Sequence, residues 1–352
     1  MTPVPAHWRA AALEPPRAFA QPPLAGTLRT VPEDFEVEEE LGFAPDGSGQ
    51  HVLLRIRKRG TNTEWVARTL ARHAHVRIND VGFAGLKDRH AVAVQWFSVP
   101  GGTTRTPWLE LRDPEFAVLE AHPHGRKLRR GALAANRFRI RVRQLRGERA
   151  ALDARLTLIR ARGVPNYFGP QRFGREGANL QSLARWAEEG AEPRARSARS
   201  FTLSAGRSLV FNAVLAERVR RESWDRLLDG EIVNLDGSGS VFGIDTPDAD
   251  ILRRCAQLDV HPTGPMWGRG ELRPRLEAAA LEEDARGAFE PVTAALEQAG
   301  LQLERRALRL RVEELGARLT EDLEVTFRLG PGAFATAVLR EIVDADVTGV
   351  TT

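Results

Sequence analysis

The chain has 352 residues and a formal net charge of +4, with 42% hydrophobic and 28% charged residues. These proportions are ordinary for globular proteins and exclude a fibrous or wholly disordered chain, while the length is typical of about two domains. No run approaches the roughly 18 apolar residues of a membrane-spanning helix, and the proline- and arginine-broken N-terminal segment has no apolar core of a secretory signal. The single cysteine, Cys255, excludes a disulfide framework, a CxxC zinc site and an iron–sulfur cluster. We therefore expect a cytoplasmic protein.

Positive charge is concentrated in one part of the chain. Residues 121–175 carry 15 lysines and arginines against two acidic residues, whereas residues 271–304 carry three arginines against eight acidic residues. Such asymmetry predicts a basic face for a polyanion, without identifying the polyanion.

Periodicity and capping signals predict a mixture of strands and helices. In chain order, the predicted elements are strands at 29–40 and 51–57, a helix from a Thr61/Glu64 capping box to 74, strands at 91–99 and 136–143, a helix at 151–163, a linker at 191–200, a helix at 208–221, short strands within 231–242, an acidic helical section to 302, a strand at 323–329 and a helix to 343. Because no regular βαβ period appears, the pattern indicates an α+β fold with an insertion.

The clearest predicted strand, 136–143, has two chemically different faces. Its apolar residues alternate with a row of four arginines, Arg137, Arg139, Arg141 and Arg143. The apolar face is expected to pack on a core. The guanidinium row is either solvated or holds an RNA backbone or another phosphate.

Asp88 is the first candidate for chemistry. It lies in a predicted loop between Lys87 and Arg89. Nearby cations favour the ionised form of a carboxylate, which suits a nucleophile or an electrostatic stabiliser. The alternative is a turn aspartate in an ordinary surface ion pair.

The segment NYFGPQRFG at 166–174 is the most unusual stretch. It combines the amide of Asn166, the ring of Phe168 and the guanidinium of Arg172 with the only tyrosine of the chain. Aromatic faces, amide hydrogen bonds and a guanidinium are what an unstacked base requires; the alternative is an aromatic loop that closes the core. Phe35 and Phe334 also lie in turn-like settings and are core residues or part of such a site.

Two histidine pairs, His73/His75 and His122/His124, lack an accompanying acidic or thiol cluster, so we predict no metal site. Neither a nucleotide phosphate loop nor a GxSxG elbow is present.

Six segments together resemble one family, the TruD family of tRNA pseudouridine synthases. In order, they are EDFEVEE, AGLKDRHAVAVQWFSV, NYFGPQRFG, GRSLVFNAVLAERV, HPTGPMWG and GPGAFATAVLREIV. The resemblance implies a V-shaped molecule in which a catalytic domain with a mixed antiparallel sheet (1–190 and 304–352) carries an inserted α/β TRUD domain (191–303). It implies isomerisation of a tRNA uridine, position 13 in bacterial members, to pseudouridine without cofactor, metal, membrane or obligate protein partner.

The same resemblance implies roles for individual residues. Asp88 matches the catalytic aspartate; whether it attacks C1′ or starts elimination at C2′ stays open. Phe35, Asn166, Phe168 and Phe334 match residues of the uracil pocket. Arg29 stands near the position where the family usually has a lysine. Lys87 and Arg89 would keep Asp88 ionised and meet phosphates, and Arg137, Arg139, Arg141, Arg143 and Arg172 are candidates for the RNA backbone.

Two other functions compete with this interpretation. A non-catalytic RNA-binding protein or RNA chaperone would keep the basic face and the aromatic loop but would not need Asp88. An RNA hydrolase would need a second essential acid or a metal, and the sequence offers no ligand cluster for one.

Overall fold

The computed structural model describes residues 3–101, 107–271 and 273–347. The strands in these ranges are β1 Leu24–Leu28, β2 Phe35–Glu40, β3 His51–Arg59, β4 Gly82–Phe83, β5 Val92–Pro100, β6 Phe116–His124, β7 Ala135–Gly147, β8 Val164–Pro165, β9 Ile232–Leu235, β10 Val241–Gly243, β11 Val260–Met266, β12 Glu304–Ala307, β13 Arg309–Leu310, β14 Glu313–Leu319, β15 Leu323–Leu329 and β16 Val343–Val347. The helices are α1 Ala6–Leu13, α2 Thr63–His73, α3 Leu152–Arg162, α4 Ala178–Glu189, α5 Arg196–Arg220, α6 Ala249–Ala256, α7 Leu276–Gly287, α8 Glu290–Gln298 and α9 Ala335–Ile342.

The chain forms two compact units. The sheet unit contains Pro23–Leu156, Val312–Gly332 and residues 343–347; the helical unit contains residues 3–22, Thr157–Arg311 and Ala333–Ile342. These boundaries describe compactness and differ from the predicted ones at 190/191 and 303/304. The inserted domain at 191–303 stays a prediction.

The sheet unit is built on one large mixed sheet. Its strand order is β14-β15-β7-β2-β5-β3-β6. In addition, β1 pairs with β7, β16 pairs with β1, and β4 pairs with β5. Most pairs are antiparallel, whereas β2–β5 and β1–β16 are parallel. This sheet, together with nine helices in the described ranges, confirms the predicted α+β class.

Strand β7 lies inside this sheet, between β15 and β2, and its alternation is as predicted. Phe138, Ile140 and Val142 are buried. A second core lies under the other half of the sheet, where α2 packs Val66 and Leu70 against β3 and β5. The outcome is a rigid platform, and the loop that follows β4 begins on it.

The helical unit is organised around α5. This 25-residue helix buries a long apolar stripe and packs against a four-stranded sheet of order β10-β9-β11-β12. The linker predicted at 191–200 is wrong in its second half, because α5 already begins at Arg196. Its first turns are polar and mostly exposed, so they lack the apolar signal that marks the rest of the helix.

Two predicted boundaries in the sheet unit are also wrong. The first strand begins only at Phe35, since residues 32–34 form a short 3₁₀ turn. Helix α2 is capped at Asn62 without a side-chain hydrogen bond, so the Thr61/Glu64 capping box does not form. The carbonyl of Thr61 instead accepts a hydrogen bond from Lys58.

Candidate active site

The loop between β4 and β5 presents Asp88. Its side chain is 24% exposed, and Oδ2 lies 2.7 Å from Nη1 of Arg29. The second oxygen, Oδ1, accepts a hydrogen bond of 3.0 Å from the backbone N–H of His90. The carboxylate is therefore held at both oxygens and still reaches solvent, as a group that must meet a substrate requires.

Arg29 connects Asp88 with Phe35. It follows β1 with a φ of +59°, a left-handed conformation that is unusual for a residue with a side chain. Its guanidinium lies 4.4 Å from the centre of the Phe35 ring, and this buried ring packs edge-on against Phe138. Three residues that the sequence singled out separately thus form one cluster in the sheet unit.

Lys58 belongs to the same cluster, and the sequence analysis missed it. Its side chain is fully buried, and Nζ donates hydrogen bonds to the carbonyl oxygens of Asp88 at 2.8 Å and Thr61 at 2.7 Å. Burial lowers the pKa of Lys58 to about 8, against the opposing effect of the Asp88 charge. A detectable signal existed, because Lys58 continues the alternation of the inward-facing Leu54 and Ile56 on β3.

The two cations beside Asp88 in the sequence do not bind its carboxylate. Lys87 Nζ lies 2.6 Å from Oε2 of Glu39. Because Glu39 is almost fully buried, its charge requires a partner, and Lys87 supplies it. Arg89 is exposed and donates to the carbonyl of Gly60 at 3.4 Å. Arg29 makes the ion pair with Asp88, and the expectation that Lys87 and Arg89 keep Asp88 ionised stays a prediction.

A second cluster lies in the helical unit, directly after β8. Asn166 is buried, donates from Nδ2 to the carbonyl of Ala307 at 2.9 Å and accepts from Nη2 of Arg306 at 2.7 Å. The buried Asn212 of α5 accepts from the N–H of Phe168 at 2.9 Å and donates to its carbonyl at 3.0 Å. The Asn212 amide thus pairs with Phe168 as a neighbouring strand would and fixes the position of its ring.

Rings and guanidiniums surround Phe168. Phe334 lies 5.7 Å away between ring centres, and Phe211 lies 5.5 Å away edge-on. The guanidiniums of Arg306 and Arg172 lie 4.4 and 5.2 Å from the Phe168 ring centre. Burial, and for Arg306 also the nearby Arg172 charge, lowers the pKa of both, for Arg306 to about 10. This cluster combines aromatic rings with positive charge. It brings together the four residues of the helical unit that the sequence predicted, Asn166, Phe168, Arg172 and Phe334. Arg306 and Asn212 also belong to it and were not predicted.

The arginine row on β7 differs from its predicted form. Acidic residues of the flanking strands and turns pair with every member: Arg137 with Glu40 and Glu314, Arg139 with Glu36, Arg141 with Glu324, and Arg143 with Asp34 and Asp322. The strongest pair is that of Arg143, which contacts both oxygens of the fully buried Asp34. The arginine row is thus a ladder of cross-strand ion pairs. A role in holding RNA stays a prediction, and these pairs argue that it is small.

No helix in the described ranges is both long and apolar enough to span a bilayer. In the same ranges, no group of three or more His, Cys, Asp or Glu side chains is arranged to hold a metal ion.

Comparison with known proteins gives consistent results. The family model described as tRNA pseudouridine synthase D (TruD) matches residues 17–187 and 195–342. The tRNA pseudouridine synthase D of Nitrosococcus oceani is 48% identical over 92% of each chain, and that of Methylococcus capsulatus is 48% identical over 95% of each. The namesake of Xanthomonas euvesicatoria pv. vesicatoria is 46% identical, again over 95% of both chains.

A solved structure is also similar in fold. The crystal structure of a Methanosarcina mazei protein described as a tRNA pseudouridine synthase D (TruD) superposes with a TM-score of 0.71 and covers 96% of this chain and 98% of its own. Because its sequence identity is only 20%, this likeness supports the fold alone.

Proposed function

The chain belongs to the TruD family of tRNA pseudouridine synthases, and we propose that it isomerises a uridine of tRNA, at position 13, with Asp88 as the catalytic carboxylate. The observation that carries the proposal is the partly exposed Asp88 carboxylate, held by Arg29 next to the Phe35 ring.

The reaction requires one carboxylate and a binding site for an extruded base. The N1–C1′ bond breaks, the uracil turns over, and a C5–C1′ bond forms; the proton on C5 is lost and N1 gains one. Atoms and electrons balance within the nucleoside, so the reaction itself consumes no oxidant, reductant or water. Asp88 either attacks C1′ or removes the proton at C2′, and the geometry of the free protein is compatible with both.

Each cluster, taken by itself, carries groups that an extruded base can use. Taking a base out of its stack costs a few kcal/mol, which stacking on an aromatic ring offsets at about 1–3 kcal/mol per base. In the helical unit Phe334 is the partly exposed ring, and the buried Phe168 ring packs against it. The buried Phe35 ring, next to the Arg29 guanidinium, would shape the pocket beside Asp88. The amide of Asn166 already makes two hydrogen bonds, which leaves one N–H and one oxygen lone pair. Those two groups complement the carbonyl and N–H edge of uracil.

We further propose that residues 191–303 are the family's inserted domain. In support, they lie wholly inside the Thr157–Arg311 segment of the helical unit, and they carry the acidic helices α7 and α8. Because its substrate is tRNA, we further propose that the protein acts in the cytoplasm. The absence of an obligate protein partner stays an implication of the family resemblance.

The test of the function is direct. Purified protein is incubated with a tRNA transcript and the product is mapped for pseudouridine, beside a control transcript with cytidine at position 13. We expect pseudouridine at position 13 of the first transcript alone. Pseudouridine at another position would refute the assignment of the uridine, and no pseudouridine in any tRNA would refute the proposed activity.

A further inference from the structure

A basic groove runs along α2 in the sheet unit, outside the cluster around Asp88. One cavity of about 610 Å³ lies between α2 and the loop before β7, where Arg68, Phe83, Lys127 and Arg130 line it. A second cavity of about 440 Å³ shares Arg68 and Ile78 with the first. We call this continuous surface the α2 groove.

The positive charge of the α2 groove is not neutralised by acids. Arg68, Arg129 and Arg130 are exposed and form no ion pair with any residue in the described ranges. Lys127 donates only to the carbonyl of Asn79. This contrasts with the β7 arginine row, in which every guanidinium has a carboxylate partner. Surface arginines of this protein are thus often paired, and those of the groove are not.

Two acids lie close to these cations without cancelling them. Glu64 lines the groove itself, and Asp80 lies near Lys127 but is hydrogen-bonded by Arg77 at 3.0 Å. The groove therefore keeps a clear excess of positive charge.

The floor of the groove is apolar and partly aromatic. The guanidinium of Arg130 lies 3.8 Å from the centre of the Phe83 ring, and Ile78 is 43% exposed. Stacked arginine and exposed apolar surface beside free cations suit a nucleic-acid strand, whose bases stack while its phosphates pair with the cations. An acidic protein surface could form ion pairs with the cations, but it would leave the stacking surface unoccupied.

The groove lies next to the catalytic loop. Phe83 precedes Asp88 by five residues, which span at most about 18 Å when extended. The backbone N–H of Lys87 donates to Oγ1 of Thr63 at 3.0 Å, and the next residue, Glu64, lines the groove. An RNA strand in the groove is consequently close enough to belong to the same molecule as the uridine at Asp88.

We propose that the α2 groove binds the substrate RNA strand within about five nucleotides of the target uridine, taking the 18 Å reach and a rise of about 3.4 Å per nucleotide. Arg68, Lys127 and Arg129 pair with phosphates, and a base packs on the exposed Arg130 guanidinium, which the Phe83 ring supports from below. Naming the strand as tRNA rests on the proposed function; the groove and its charge do not.

The first experiment compares two matched double variants of the full chain by tRNA binding at several salt concentrations. Arg68→Ala/Arg129→Ala removes two groove cations; Arg220→Ala/Arg253→Ala removes two exposed arginines that pair with Glu217 and Asp250 on their own helices. With about 0.7 per phosphate contact, the groove variant should lose about 1.4 from the slope of log affinity against log salt. When salt is raised from 50 to 200 mM, the factor by which tRNA affinity falls should therefore be about sevenfold smaller for the groove variant than for the parent protein.

The control variant should keep the parent slope. An unchanged slope in the groove variant, or an equal change in both variants, overturns the proposal. The binding experiment does not depend on turnover, so it tests the groove separately from the proposed enzyme activity. If the parent protein forms pseudouridine but the groove variant keeps the parent salt slope, only the proposal for the groove is refuted.

A second experiment locates the strand. The single native cysteine, Cys255, is buried, so Arg129→Cys places one accessible thiol in the groove for an aryl-azide photocrosslinker. Crosslinks to tRNA within about five nucleotides of the modified uridine are expected. Crosslinks only to distant nucleotides, or none with tRNA bound, overturn the proposal.

Discussion

Lys58 offers a sharp test of how the site is built. Its ammonium is fully buried and donates to the carbonyls of Asp88 and Thr61, so it holds the backbone of the proposed catalytic residue. Lys58→Met keeps the length of the side chain and removes both the charge and the two donors. We expect this change to reduce the turnover rate strongly and to change the free energy of unfolding only modestly.

The magnitudes follow from the pKa. A fall from 10.5 to about 8 means that the folded protein holds the charged form at a penalty of about 3 kcal/mol. Methionine removes this penalty but leaves two carbonyls without donors, at about 1–3 kcal/mol each. The loss is about 2–6 kcal/mol and the gain about 3 kcal/mol, so the free energy of unfolding at pH 7 should change by no more than about 3 kcal/mol. Turnover should fall by about 10–100-fold, because a displacement of about 1 Å at a reacting group has an effect of that order.

The lowered pKa of Lys58 also determines whether the folded state gains or loses stability as pH rises. Between pH 8 and 10.5 the unfolded chain still binds the Lys58 proton and the folded chain does not, so this group makes the folded state more stable as pH rises. From pH 7 to 9.5 the parent protein should gain about 2 kcal/mol relative to Lys58→Met. Urea unfolding of both proteins at the two pH values measures this difference, with Lys127→Met as an exposed-lysine control. A pH-independent difference would show that burial does not lower the pKa of Lys58, and unchanged turnover in Lys58→Met would show that this lysine does not position Asp88.

Three further predictions concern other parts of the site. Arg29→Ala should reduce turnover by about 10–100-fold, since a hydrogen bond to a charged group contributes about 1.5–3 kcal/mol, and Arg29→Lys should restore part of it. Turnover of Arg29→Ala at the level of the parent would show that the ion pair with Asp88 is dispensable. Phe168→Ala should reduce turnover more than tRNA affinity, because it removes a ring that contacts one base. Phe201→Ala, at an exposed ring, should affect neither quantity. Equal losses of turnover and tRNA affinity in Phe168→Ala would indicate a packing role. Arg139→Ala/Arg141→Ala should lower the salt slope of tRNA binding by less than half of the 1.4 expected for two phosphate contacts, and a larger effect would restore the arginine row as a main RNA contact.

Local patterns predicted the parts of this fold that depend on neighbours in sequence. The alternation of Phe138, Ile140 and Val142 placed the buried face of β7 correctly, and the strand at 323–329 has the predicted bounds. The loop with Asp88 before the strand predicted at 91–99 was equally visible, whereas the short strand β4 before it was not predicted. Each of these features follows from side-chain periodicity within a few residues.

Partners from distant parts of the chain could not be predicted in this way. The acids that neutralise Arg141 and Arg143 include Glu324 and Asp322, which become neighbours only when β15 pairs with β7. Similarly, Lys87 forms an ion pair with Glu39, whose buried carboxylate requires a charged partner. Glu39 is buried only because the whole sheet surrounds it, so this pair could not be predicted from neighbours in sequence. Lys58 escaped notice because an isolated lysine in a strand is usually solvated.

The central claim is that the Asp88 carboxylate performs the chemistry. The most direct measurement is single-turnover conversion of the target uridine in a tRNA transcript by Asp88→Asn, with the dissociation constant for the same tRNA determined in parallel. The amide keeps the size of the side chain and can still accept from His90 N–H, so we expect no detectable pseudouridine and an affinity within about threefold of the parent. Pseudouridine formed by pure Asp88→Asn at a rate near that of the parent would contradict the assignment of Asp88.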